Sequence, residues 1–184
     1  MTHAPESSRR EQIHLVEYDA AWALDFAREA TGIRRALSSC LIDLHHIGST
    51  AIPGIVAKPI VDMLAVVSSV ELVDAHTGDL ESLGYEAKGE YDIPGRRYFR
   101  KHAPDGTRTH HLHAFALGSP HIARHLDFRD YLRAHPPIAE AYADLKRSLA
   151  RGSVDTREYT EAKAEFVREI ERKAAAWRLQ LRQD

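Results

Sequence analysis

Two short stretches of this 184-residue sequence carry side chains suited to chemistry on a phosphate or around a metal ion. In the first, an apolar run ends at Gly48-Ser49-Thr50. A glycine there lets backbone approach a ligand closely, and Ser49 offers a hydroxyl and an amide to a phosphate oxygen. Thirteen positions after Ser49, Asp62 interrupts the apolar run Ile60 to Val67. A carboxylate is costly to bury without partners, which favours a working acid at Asp62 over a structural one. The second stretch is Thr109 to Leu117, where strand alternation sends residues 109, 111, 113 and 115 to one side. His111 and His113 then project from one face, and two imidazoles so placed could chelate a metal, contact a substrate phosphate or fill a polar cleft. Lys58, just ahead of the Asp62 run, is a further candidate for a phosphate. So is the basic strand Arg96 to His102, which alternation divides into Arg97, Phe99 and Lys101 on one face and Arg96, Tyr98 and Arg100 on the other.

The elements that must position these residues follow from hydrophobic periodicity and from turn residues. Ile13 to Tyr18 has a strand pattern, and Trp22, Phe26, Ala30, Ile33 and Leu37 give helical spacing over Asp19 to Ser39. Leu41 to Ile47 is predicted as a strand, then a short connector, then the strand Ile60 to Val67. A helix over Val70 to Leu83 stops at Gly84. Tyr85 to Lys88, Arg96 to His102 and Thr109 to Leu117 complete the strands, the last two joined by a turn at Pro104-Asp105-Gly106. From Ser119 the pattern is helical, and breaks at Pro136-Pro137 and Gly152-Ser153 divide it into three helices. Residues 1–11 are polar and expected to be disordered or loosely held, with 12–184 forming one domain.

These motifs bring a resemblance into view. A strand ending in Gly-Ser, followed by an Asp inside a hydrophobic strand, resembles the signature of the polymerase-beta type nucleotidyltransferase superfamily. The run HIGSTAIPGIVAKPIVD, from His46 to Asp62, is similar to the hallmark of the GrpB-like family, and GRRYFRK, RTHHLHAF and HLDFRDYLRAHP extend the likeness along nearly the whole chain. That family also occurs as an extra domain of some dephospho-CoA kinases. The resemblance implies an α+β nucleotidyltransferase fold, a mixed sheet flanked by helices with a C-terminal helical segment. Catalytic superfamily members carry a second acid two positions after the first, to hold two divalent cations; Leu64 stands there instead. The fold sets the later strand beside the one bearing Asp62. This implies a site of Asp62, His111 and His113 that suits Zn, Mn, Fe or Ni better than Mg. Gly48, Ser49, Lys58, Arg97 and Lys101 would contact substrate, and Arg129, Tyr159 and Lys163 resemble recurring positions near the cleft.

A formal net charge of −2 and a pI near 6.6 argue against a protein that coats nucleic acid or an anionic membrane. The single cysteine, Cys40, lies in an apolar run and is expected to be a buried free thiol. Neither a signal sequence nor a membrane span is expected, so the location is predicted to be cytoplasmic. No Gly-x-x-x-x-Gly-Lys loop is present to support kinase activity. The expected function is that of a nucleotidyltransferase-like protein binding a nucleotide or phosphorylated small molecule, with a divalent metal and no organic cofactor. The alternative is an inactive ligand- or metal-binding module of the same fold. Homo-oligomers stay open.

Overall fold

The computed structural model describes residues 13–152 and 156–183. The expected loose segment 1–11 lies outside the described residues. Helix α1, Ala21–Ala36, opens where the Asp19 carboxylate accepts from the Ala21 amide at 2.8 Å, and it ends with Arg34 and Arg35 facing the negative end of its dipole. Ahead of it, the expected strand over Ile13 to Tyr18 reduces to a single bridge between Val16 and Ala57. Strand β1 is Leu41–Ile47, and a 3-10 turn over Ser49–Ala51 leads toward β2, Val61–Val67. The predicted helix after β2 is divided at His76 into α2, Val70–Ala75, and α3, Thr77–Ser82. Thr77-Gly78 explains the break, because a β-branched residue followed by glycine weakens a helix interior.

Strands β3 (Tyr85–Ala87), β4 (Arg96–His102) and β5 (Arg108–Ala116) follow. The C-terminal third holds four described helices instead of three: α4 (Pro120–Ala134), α5 (Pro136–Gly152), α6 (Thr156–Ala162) and α7 (Ala164–Gln180). The additional break falls at Lys163. No described helix is long and apolar enough to cross a membrane.

The sheet runs β1-β2-β5-β4-β3, with β2 and β5 parallel and the other pairs antiparallel. β2 lies inside the sheet, and six of its seven residues are buried; Asp62 is the exception. Met63, Ala65 and Val67 join Leu112, Ala114 and Phe99 against α1, α2 and α3. Leu64 and Phe115 turn the other way, with Ile47, toward Ile122 and Leu126 of α4. A third cluster binds Ile52, Ile55 and Val56 to α4, α5 and α7. Each fully buried side chain of this size contributes roughly 1.5–3 kcal/mol, which fixes the register strongly, since a one-residue slip would reverse every strand's faces. In that register Asp62 stands opposite His111, and His111 opposite Arg100. Leu64 stands opposite His113, and His113 opposite Tyr98.

Candidate functional site

The turn after β1 needs a glycine for two reasons. Gly48 has φ 70°, a left-handed conformation that side chains rarely adopt, and a Cβ there would lie 2.5 Å from Oδ2 of Asp62. Backbone and side chain are therefore in contact at the point where a ligand would enter. Hydrogen bonds hold the turn on both flanks. Arg129 of α4 donates to the His46 carbonyl at 3.0 Å, and Arg133 donates to the Ala51 carbonyl at 2.8 Å. His46 stacks on Phe26 and sets Nε2 2.9 Å from the Thr50 hydroxyl, which donates onward to the Ile60 carbonyl at 3.3 Å. Burial lowers the His46 pKa to about 4, outweighing the attraction of Asp62, so this ring is neutral near pH 7.

At the end of β2, Oδ1 of Asp62 lies 2.9 Å from Nδ1 of His111 and 4.0 Å from Nε2 of His113. Burial pushes the Asp62 carboxyl up, but the hydrogen bonds and positive character of the two imidazoles outweigh it and hold the group below the usual carboxylate range. Burial lowers the His113 pKa against the pull of Asp62. The three side chains offer one ligand atom each, all within 4.8 Å of one another. Ligands about 2.1 Å from a tetrahedral ion stand roughly 3.4 Å apart, so small side-chain shifts would suffice to bind one. Nδ1 is the His111 nitrogen that faces Asp62, while its Nε2, directed elsewhere, is buried without a hydrogen-bond partner among the described residues. Tyr98 backs both imidazoles, with ring centroids 5.5 Å from His111 and 4.9 Å from His113. The donor set fits a divalent transition metal better than Mg, which prefers oxygen.

A cavity of about 120 Å³ opens between Asp62, His111, Ser49 and the helical C-terminal third. Three lysines reach it. Lys146 of α5 is only 2% exposed. Its Nζ donates to the Ser49 hydroxyl at 3.1 Å and to the Val56 carbonyl, and lies 4.7 Å from the Tyr142 ring centroid. Burial lowers its pKa to about 7, helped by repulsion from Lys163 and Arg147. Lys58 and Lys163 stand over the Tyr159 ring at 5.4 and 4.9 Å. Burial lowers the Lys163 pKa against the attraction of Asp62. Three lysine side chains and one carboxylate thus line the same small cavity.

Of the residues singled out in the sequence, Ser49, Lys58, Asp62 and His111 line this cavity, while Gly48 and His113 stand behind it against Asp62. Arg97 and Lys101 do not reach this cavity. Arg97 grips both carboxylate oxygens of Asp74 on α2 at 2.6 and 2.7 Å, and Lys101 pairs with Glu29 on α1 at 2.7 Å. Alternation divides β4 as expected, but the face shared with His111 and His113 is that of Arg96, Tyr98 and Arg100. Tyr159 and Lys163, noted only for their resemblance, line the cavity, and Lys146 was missed. Its signal was a lysine on the inward stripe Ala139, Tyr142, Ala143, Lys146, at positions i, i+3, i+4 and i+7 of α5.

The model of the family described as GrpB protein matches residues 12–173. The UPF0157 protein YqkA of Bacillus subtilis strain 168 is 42% identical over 170 residues, which make up 92% of this chain and 49% of that protein. The chain thus spans about half the length of that relative. The crystal structure of conserved protein GrpB from Enterococcus faecalis is similar with a TM-score of 0.82 and 40% identity, covering 88% of this chain and 96% of that one. The structure of Cid1 in complex with its short product ApU is similar with a TM-score of 0.51 and 12% identity, covering 73% of this chain and 43% of that one. The latter is a likeness of fold alone, and it agrees with the polymerase-beta-like nucleotidyltransferase architecture expected from the sequence. With its motifs, its sheet and 162 matched positions (12 to 173) in accord, the chain belongs to the GrpB family.

Proposed function

We propose that this protein binds a nucleotide or another phosphorylated small molecule in the lysine-lined cavity and transfers a nucleotidyl or phosphoryl group with the help of a divalent metal ion at Asp62, His111 and His113. One observation carries the proposal: Ser49, Lys58, Lys146 and Lys163 surround the same small cavity that Asp62 and His111 border. A phosphate there would receive charge-assisted hydrogen bonds from the lysines and the Ser49 hydroxyl, in surroundings that screen charge less than water does. When bound, the ion would supply positive charge to phosphoryl oxygens in flight. Lys146, with a pKa near 7, holds the Ser49 hydroxyl in place and adds charge once an anion arrives.

A second reading, ligand binding without transfer, is favoured by Leu64. It is fully buried at the position of the usual second acid, where it packs with Ile47 and Phe115. Melting scans with a nucleoside triphosphate, with and without Mn²⁺, test both readings. A ligand at 100 times its dissociation constant adds about 2.7 kcal/mol to stability. We expect Asp62→Asn to remove the Mn²⁺-dependent part and Lys146→Met to weaken the rest. Turnover of an α-phosphate-labelled triphosphate that Asp62→Asn abolishes marks a transferase; stabilisation without turnover marks the binding module. No stabilisation by nucleotide or phosphate would reject both.

A further inference from the structure

Farther along the same face of the sheet from the lysine cavity, the loop between β3 and β4 places an exposed aromatic ring beside an arginine. Tyr91 is 49% exposed and has φ 43°, and Asp92 follows at φ 66°. Non-glycine residues rarely adopt this conformation, and two in succession require support from their surroundings. Arg96 provides it. Its guanidinium is buried and donates to the carbonyls of Glu90, at 3.1 Å, and Tyr91, while the Glu90 carboxylate accepts from the Gly95 amide at 2.7 Å. The loop is thus held in a strained shape that presents the Tyr91 ring on the site's side of the sheet.

Arg100 completes the cluster. Its guanidinium carbon lies 4.6 Å from the Tyr91 ring centroid and 5.3 Å from that of Tyr98, and Nε donates to the Tyr98 hydroxyl at 3.3 Å. Among the described residues no carboxylate forms an ion pair with Arg100, unlike its neighbours Arg97 and Lys101. Asp62, His111 and Arg100 occupy one row across β2, β5 and β4. At about 4.8 Å per strand, Arg100 stands roughly 10 Å along the sheet from Asp62, on the side away from β1 and Ser49. One acid therefore lies between two cationic sites.

We propose that Tyr91, Tyr98 and Arg100 form a second ligand site that takes an acceptor carrying both a planar ring and an anionic group, the chemistry of a nucleoside monophosphate. The ring stacks on the exposed part of Tyr91, and the phosphate bonds the donors of Arg100 that Tyr98 and Tyr91 leave over. This rests on the proposed function for the use of the site, but the site itself can be tested alone. Tyr91→Gly removes the ring at a backbone conformation that glycine prefers, so the fold is expected to survive; Arg100→Gln removes only the charge and its fork of donors.

Calorimetric titration of adenosine 5′-monophosphate is run with the lysine cavity saturated by a non-hydrolysable nucleoside triphosphate. We expect the monophosphate still to bind, and to bind about tenfold more weakly in each variant, while affinity for the triphosphate is unchanged. Adenosine and inorganic phosphate, titrated separately, should each bind more weakly than the monophosphate. The proposal is overturned if the triphosphate displaces the monophosphate and both variants bind it as the wild type does, an outcome that leaves the lysine cavity standing. It is also overturned if the monophosphate does not bind, or if adenosine or phosphate alone matches it. If the triphosphate fails to bind but the monophosphate does so in a Tyr91- and Arg100-dependent way, nucleoside triphosphate binding in the lysine cavity is rejected and the second site stands.

Discussion

A lysine that is 2% exposed must surrender its proton or gather partners, and Lys146 does some of both. Its pKa falls from 10.5 in the unfolded chain to about 7 in the fold. Below about 7 the amine is protonated in both states, and the full cost of burying charge weighs on the fold. Between about 7 and 10.5 the unfolded chain binds more protons, so stability rises with pH across that window; above it the cost has vanished. Lys146→Met removes this dependence. Denaturant titrations at several pH values should show the variant gaining most over the wild type on the acid side of neutrality and the gap closing in alkali. A variant that is less stable at acid pH would mean that the ammonium is well compensated in the fold. The residues legible in sequence were those whose type jarred with their surroundings: Asp62 in an apolar strand, His111 and His113 alternating on another, Gly48 at a turn. Lys146 jarred equally but only within the three-dimensional stripe of α5. The family resemblance pointed to Arg97 and Lys101, while alternation divides a strand into two faces without saying which one meets the cavity.

The elements that hold the turn are less visible in sequence than the turn itself. Arg129 and Arg133, one helical turn apart on α4, each donate to a backbone carbonyl flanking Gly48-Ser49, more than 80 positions earlier in the chain. A contact of that range leaves no local pattern. Arg129 has a side chain only 14% exposed, so Arg129→Met keeps the stem while leaving the His46 carbonyl short of a donor. A loss of about 1–3 kcal/mol is expected, read as a lower urea midpoint at unchanged slope. A change below about 0.3 kcal/mol would show that water replaces the guanidinium and that α4 does not clamp the turn. Strand boundaries were legible because apolar runs and turn residues agreed: β1 and β4 match their expected limits. Helix divisions were harder. The breaks at His76 and Lys163 have no proline to announce them, and periodicity gave a strand over Ile13 to Tyr18 where only the bridge at Val16 forms.

On the scale of the whole molecule, the sheet and the C-terminal helices have different tasks. β2 and β5 bring an acid and two imidazoles into one register, and the strands do so through hydrophobic packing on both faces of the sheet. The helices then cover one face and contribute Lys146 and Tyr159, with Lys163 from the break between α6 and α7, so the cavity exists only when both parts have assembled. That division explains why the sequence disclosed the fold and the metal-ligand candidates yet told little of the cavity's far wall. The central claim is that Asp62, His111 and His113 act together on one divalent ion. Anomalous diffraction from crystals soaked in Mn²⁺ or Zn²⁺ addresses it most directly. The prediction is a single strong peak within about 2.0–2.3 Å of one atom from each of the three side chains, absent in Asp62→Asn. A protein that diffracts well, tolerates the soak and shows its anomalous peaks elsewhere or nowhere would contradict the account.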